Sequence, residues 1–138
     1  MTYRFVPHTA DIKVVMDGGR LDDIYVDAVA LVRELVAGEA ADVRPVTAHR
    51  IAASAGSADE LLLQFIRELL YLFHTASFVP GNLEIEERSP ERLRAVVWGE
   101  LFDDHRHDPQ PEVKAVTRHQ LAVREEDGRW RAEVIFDL

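Results

Sequence analysis

The chain contains no cysteine. Disulfides, thiolate nucleophiles and every zinc site that needs sulfur are therefore excluded, and any bound metal must be held by oxygen or imidazole. Basic residues are scarce as well: 16 lysines and arginines stand against 25 aspartates and glutamates, leaving −9. A field of that sign repels phosphate backbones and yields no counterion-release gain over a broad surface, so tight direct nucleic-acid binding is not expected. Long hydrophobic runs are missing too. The richest, Leu61 to Phe73, is interrupted by Gln64, Arg67 and Glu68 and is too short and too charged to span a bilayer. The opening MTYRFVPHTADIK has neither a basic leader nor an apolar run, so no secretion signal is read there and a cytoplasmic protein is expected. The nucleotide motifs G-x-x-x-x-G-K-[ST] and G-x-G-x-x-G do not occur, nor do the hydrolase motifs G-x-S-x-G and H-E-x-x-H.

What is present is a globular composition, 47% hydrophobic and 30% charged over 138 residues, suited to a single domain spanning residues 1–138. Alternation through Ile12, Val14 and Met16 up to Gly18-Gly19 reads as a strand. From Leu21 the period changes to that of a helix, with Ile24, Tyr25, Ala28, Val32, Leu35 and Val36 on one face and Gly38 as the stop. Thr47, His49 and Ile51 form one side of a strand after Pro45. Ser57-Ala-Asp-Glu60 fits a reciprocal capping box ahead of the most apolar helix, whose stripe runs Leu61, Leu62, Phe65, Ile66, Leu69, Leu70 and Phe73.

Pro80-Gly81-Asn82 reads as a turn, Leu83 to Glu87 and Leu93 to Phe102 as a hairpin, and Asp103 to Pro111 as a polar loop. One long strand is expected from Val113 to Val123, a tight turn at Asp127-Gly128, and a last strand from Trp130 to Leu138. Trp98 and Trp130 are expected to pack on a sheet. The predicted class is α+β: a two-layer sandwich with two helices on one face of a mostly antiparallel or mixed sheet.

Three groups could carry chemistry. His8-Thr9-Ala10-Asp11 stands at the entry to the first strand, where Thr9 and Asp11 could serve a local turn. Asp137 adjoins the carboxylate of Leu138, and two negative charges so close repel unless a cation or basic side chain answers them. Should Asp11 lie beside them, three carboxylates would suit a hard divalent ion such as Ca²⁺ or Mg²⁺. The third group is the loop Asp103, Asp104, His105, Arg106, His107 and Asp108, followed by Lys114, in which His105 and His107 share a side if the segment is extended. His49, His74 and His119 are isolated.

The segments His8-Thr9-Ala10-Asp11-Ile12, Gly99-Glu100 with Asp103 and Arg106-His107, Val113-Lys114-Ala115-Val116-Thr117 with His119, and Val134-Ile135-Phe136-Asp137-Leu138 occur in order. Together they resemble the archease family. The resemblance implies a non-catalytic accessory protein of an RtcB-type RNA ligase, one that promotes guanylylation of the ligase and its turnover in tRNA splicing or RNA repair. It further implies a divalent cation, calcium first with magnesium or manganese as alternatives, held by Asp11, Asp137 and the Leu138 carboxylate. His8, Asp103, His107 and Lys114 are the expected functional neighbours. Two other functions are weighed: a methyltransferase modulator or chaperone-like binder, and a small metal-dependent hydrolase with His8 or His107 as general base.

Overall fold

The structure, a computed structural model, describes residues 2–8 and 11–138, with only the backbone for residues 7 and 8. The elements run β1 (Thr2–His8), β2 (Asp11–Gly18), α1 (Leu21–Ala37), β3 (Thr47–Ser54), α2 (Ala58–Ala76), β4 (Phe78–Ser89), β5 (Arg92–Leu101), β6 (Ala115–Glu126) and β7 (Arg129–Asp137).

Both helices form where the apolar period changes to 3.6, and each is fixed at its ends by local chemistry. The Asp23 carboxylate accepts from the Arg20 N–H at 3.1 Å, and Asp22 and Asp23 face the positive end of the α1 dipole. At its other end Gly38, at φ 99°, occupies a conformation that disfavours any side chain. The Ser57 hydroxyl accepts from the Glu60 N–H at 3.2 Å, which starts α2. Only this half of the expected capping box forms, because the Glu60 carboxylate turns outward and takes the Arg118 guanidinium at 2.7 and 3.1 Å. Leu61, Leu63, Phe65, Ile66 and Leu69 are fully buried, each contributing about 2 kcal/mol before the entropy of ordering is set against it. Tyr25 of α1 meets Phe65 of α2 edge to face, with ring centres 5.2 Å apart.

The strands divide between two sheets, of order β1-β2-β7-β6 and β3-β5-β4, and every pair is antiparallel. The α+β class with two helices against antiparallel sheet is as read from the sequence, but the single sheet is replaced by two. Helix α1 packs on β4 and β2 and helix α2 on β6, β3 and β4, so each helix joins the two sheets.

Three local expectations give way. A strand, Thr2–His8, precedes the first one expected. Pro80-Gly81-Asn82 lies inside β4 at a bulge, which an edge strand allows because Pro80 has no N–H to give to the ladder. There the Gly81 carbonyl accepts from Arg33 at 2.7 Å, and a Cβ on Gly81 would stand 2.9 Å from Val43. Finally, the long strand from Val113 is split: its pairing with β7 shifts between Thr117 and Ala122, where Gln120 adopts φ 58° and reaches Lys13 of β2.

A candidate cation site at the central strand pair

β2 and β7 pair in a register that puts Asp11 opposite Asp137, Lys13 opposite Ile135 and Val15 opposite Glu133. Directly opposed residues of an antiparallel pair share a face, with Cβ atoms about 5 Å apart. The alternate residues Val14, Met16, Val134 and Phe136 belong to the core, so the two aspartates are on the outward face of the four-stranded sheet. In the backbone ladder, His8 ends β1 in register with Asp11, and Ala115 begins β6 in register with Asp137. The backbone N–H of Lys114 donates to the Asp137 carbonyl at 2.9 Å, which fixes the strand end just before Leu138.

Lys13, two residues along β2 from Asp11 and on the same face, is already committed. Its Nζ lies 3.7 Å from Glu133 and 3.3 Å from the Gln120 side-chain oxygen. Asp137 is exposed and, among the described residues, makes no salt bridge. Like charges directly opposite in a sheet oppose pairing, so this register sets two carboxylates where they repel.

A divalent metal fits these donors. They are hard carboxylate oxygens from the two central strands of a sheet, the type that Ca²⁺ and Mg²⁺ prefer. Among the described residues no three histidine, aspartate or glutamate side chains cluster to hold a metal, so the two aspartates would need further oxygens, such as backbone carbonyls, amide side chains or water, to complete a coordination shell. Leu138 is 40% exposed and lines a hollow of about 380 Å³ with Phe5, Ile12, Glu34, Pro111 and Val113.

The polar loop forms a separate cluster that packs against Asp42 and Arg44. His107 is 1% exposed, its Nδ1 accepts from the Asp103 N–H at 2.9 Å, and its Nε2 lies 3.1 Å from the Asp42 carbonyl. With Nδ1 accepting, Nε2 carries the proton and donates to Asp42, with Glu100 3.3 Å away. Both nitrogens are engaged and the ring is buried, the arrangement of a side chain that holds its loop in place. Glu100 also accepts from the Arg44 N–H at 2.8 Å and from the Arg106 guanidinium. Burial alone would raise its carboxyl, but Arg106 and the Arg44 N–H outweigh that and hold it below the usual range.

Asp103 accepts from the His105 N–H at 2.9 Å and from Arg106 Nε at 3.3 Å, and the His105 contact chiefly lowers its carboxyl. Asp103 thus ties the loop to itself, while Arg106 and His107 hold it to Asp42 in the chain after α1. The bonds of this cluster run to Asp42 and Arg44, not to Asp137, and spacing gave no sign of those two partners because they lie more than fifty residues away. The side chain of His8 and the residues Thr9 and Ala10 fall outside the described structure. Trp98 is on the outward face of its sheet at 36% exposure, while Trp130 packs against the core.

Two helices joining two antiparallel sheets, with a carboxylate pair on the two central strands of the larger sheet, describe a small α+β protein. The Archease protein family (MTH1598/TM1083) matches residues 3–138, and the chain belongs to that family. It is 31% identical over 140 residues to protein archease of Methanosarcina acetivorans, covering 99% of this chain and 95% of that protein. To the Methanopyrus kandleri archease it is 33% identical, with the whole of both chains covered. The solution structure of Methanobacterium thermoautotrophicum protein 1598 superposes with a TM-score of 0.75 at 26% identity, covering 99% of this chain and 98% of that one. The crystal structure of a Thermotoga maritima archease, described as a possible chaperone, shares the fold with a TM-score of 0.68 at 16% identity, covering 96% and 94%. No helix is long and apolar enough to cross a membrane among the described residues.

Proposed function

We propose that this chain is a non-catalytic activator of an RtcB-type RNA ligase. In this reading Asp11, Asp137 and the Leu138 carboxylate hold a divalent cation, calcium first with magnesium or manganese as alternatives, where the ligase is guanylylated. The reading is supported above all by the β2–β7 register, which opposes the two carboxylates on an outward face that a partner can reach. A bound divalent ion supplies concentrated positive charge at that rim, able to neutralise carboxylates and attract phosphate oxygens. The chain's own residues set its position. The β2–β7 ladder fixes the spacing of the two side chains, the Lys114 N–H pins the Asp137 carbonyl, and Lys13 stays with Glu133 instead of competing for the site.

A net charge of −9 favours docking on a basic surface such as that of an RNA-joining enzyme, with the activator itself leaving the RNA to its partner. The testing experiment measures guanylylation of a purified RtcB-type ligase with GTP and Mn²⁺, adding wild-type protein, Asp11→Ala or Asp137→Ala. Stimulation by the wild type and its loss with both variants, each still folded by circular dichroism, is the expected result. Undiminished stimulation by the variants ends the proposal.

A further inference from the structure

Sheet β3-β5-β4 has β3 at one edge, and the pairing of β3 with β5 is unbroken from Thr47 to Ser54. Eight residues in regular register, without proline or a bulge and with Arg50 as the one Lys, Arg, Asp or Glu side chain, leave the edge lightly protected against pairing. An edge strand turns the N–H and C=O of alternate residues away from its sheet. Among the described residues, no hydrogen bond outside the sheet ladder engages the backbone of 47–54. Along this side runs a groove of about 570 Å³, bounded by strand residues 50–53 and by one stripe of α2, Gln64, Arg67, Glu68 and Tyr71. Their i, i+3, i+4, i+7 spacing puts them on one face of α2, which forms the second wall of the groove. A strand edge facing a helix across an open groove is the geometry that receives an extended peptide as an added strand.

Charge selects the occupant. Arg50 and Arg67 stand in the groove, and an adjoining hollow of about 210 Å³, which shares Ala52 and Ala53, is lined by Arg92 and Arg94. Arg50 is paired with Glu86 and Arg94 with Glu87, but Arg67 and Arg92 are exposed and form no salt bridge among the described residues. Four arginines stand against Glu68 on the α2 wall and the paired Glu86 and Glu87, so on a chain of net charge −9 the groove keeps a small local positive excess at Arg67 and Arg92, and charges farther than about 8 Å away are largely screened at physiological salt. Tyr71, 59% exposed, adds an aromatic surface beside it. A second copy pairing through the same edge would bring two arginine strips together, which disfavours it.

The geometry points to β3 and α2 as a docking groove for an extended acidic segment of a partner protein, joined to β3 by backbone hydrogen bonds. Its carboxylates reach Arg67 and Arg92, and a side chain between them packs on Tyr71. This surface is separate from the Asp11–Asp137 pair and does not depend on the ligase reading.

The test uses a fluorescein-labelled octapeptide of alternating valine and glutamate, titrated into the full-length protein and followed by anisotropy and by amide chemical shifts. Saturable binding with shifts confined to residues 47–54 and 64–71 is expected. Affinity should fall at least about tenfold with Arg67→Glu, an exposed position outside the core, or when alternate peptide amides are N-methylated. The idea is overturned if no binding is seen at about 1 mM peptide or if the shifts fall elsewhere. It is equally overturned if a lysine-for-glutamate peptide binds as well, or if light scattering shows a dimer with the β3 amides protected.

Discussion

Adding a divalent cation should raise the melting temperature of this protein, and replacing Asp137 by asparagine should remove most of that rise. A ligand present at a hundred times its dissociation constant stabilises the folded state by about 2.7 kcal/mol. For 138 residues, at about 2.1 cal/mol/K per residue, the unfolding entropy is about 0.29 kcal/mol/K, so the shift is about 9 °C. In excess chelator the sign reverses for the variant. Asp11 and Asp137 are opposed in the sheet, and two like charges about 6 Å apart near water repel by about 1 kcal/mol. Asp137→Asn should then melt about 3 °C above the wild type without metal, yet gain less than a third of the wild-type rise when Ca²⁺ is added. Differential scanning calorimetry in EDTA and in a Ca²⁺ series reads both quantities. An equal Ca²⁺ shift in wild type, Asp11→Asn and Asp137→Asn would refute the reasoning, as would a variant that is less stable than wild type in EDTA.

Two other residues give distinct outcomes. Asp27, 2% exposed and with Oδ2 lacking a hydrogen-bond partner among the described residues, has its carboxyl pushed up to about 6 from 3.8, chiefly by burial and further by Asp23 and Asp17. The folded state therefore binds that proton more tightly than the unfolded state does. This stabilisation is full below about pH 4 and lost as pH rises through 6, so Asp27→Asn should flatten urea-derived stability over that window and gain about 1–3 kcal/mol at pH 7. His107→Ala leaves the Asp103 N–H unpaired beside a void, with the Asp42 carbonyl keeping only Arg106, and should cost about 3 kcal/mol in urea unfolding while leaving the Ca²⁺-induced shift intact.

The helices were legible because burial against any apolar surface imposes the same 3.6-residue stripe, and Leu21 to Val36 and Leu61 to Phe73 carry it without interruption. Where local signals misled, tertiary context had overridden them. Proline and glycine at 80 and 81 mark a turn in most settings, but on an edge strand they form a bulge that receives Val43 and Arg33. Alternation from Val113 to Val123 conceals the excursion at Arg118 to Leu121, which is anchored by Arg118 on Glu60 and by Gln120 on Lys13. The division into two sheets is set by pairings such as β2 with β7, more than a hundred residues apart, and no local pattern encodes them. For the same reason the acidic ends could be recognised as chemically capable, whereas their opposition is a matter of register. Asp103 and His107 show the converse: a dense polar loop that suggested chemistry is held together by contacts with Asp42 and Arg44.

Paramagnetic broadening of backbone amide signals by substoichiometric Mn²⁺ locates a cation without relying on activity. The account predicts that the first signals lost in the wild type are those around Asp11, Lys114 and Asp137, and that Asp137→Asn restores them. Broadening centred instead on Asp103 to Asp108, or unchanged in the variant, would contradict it.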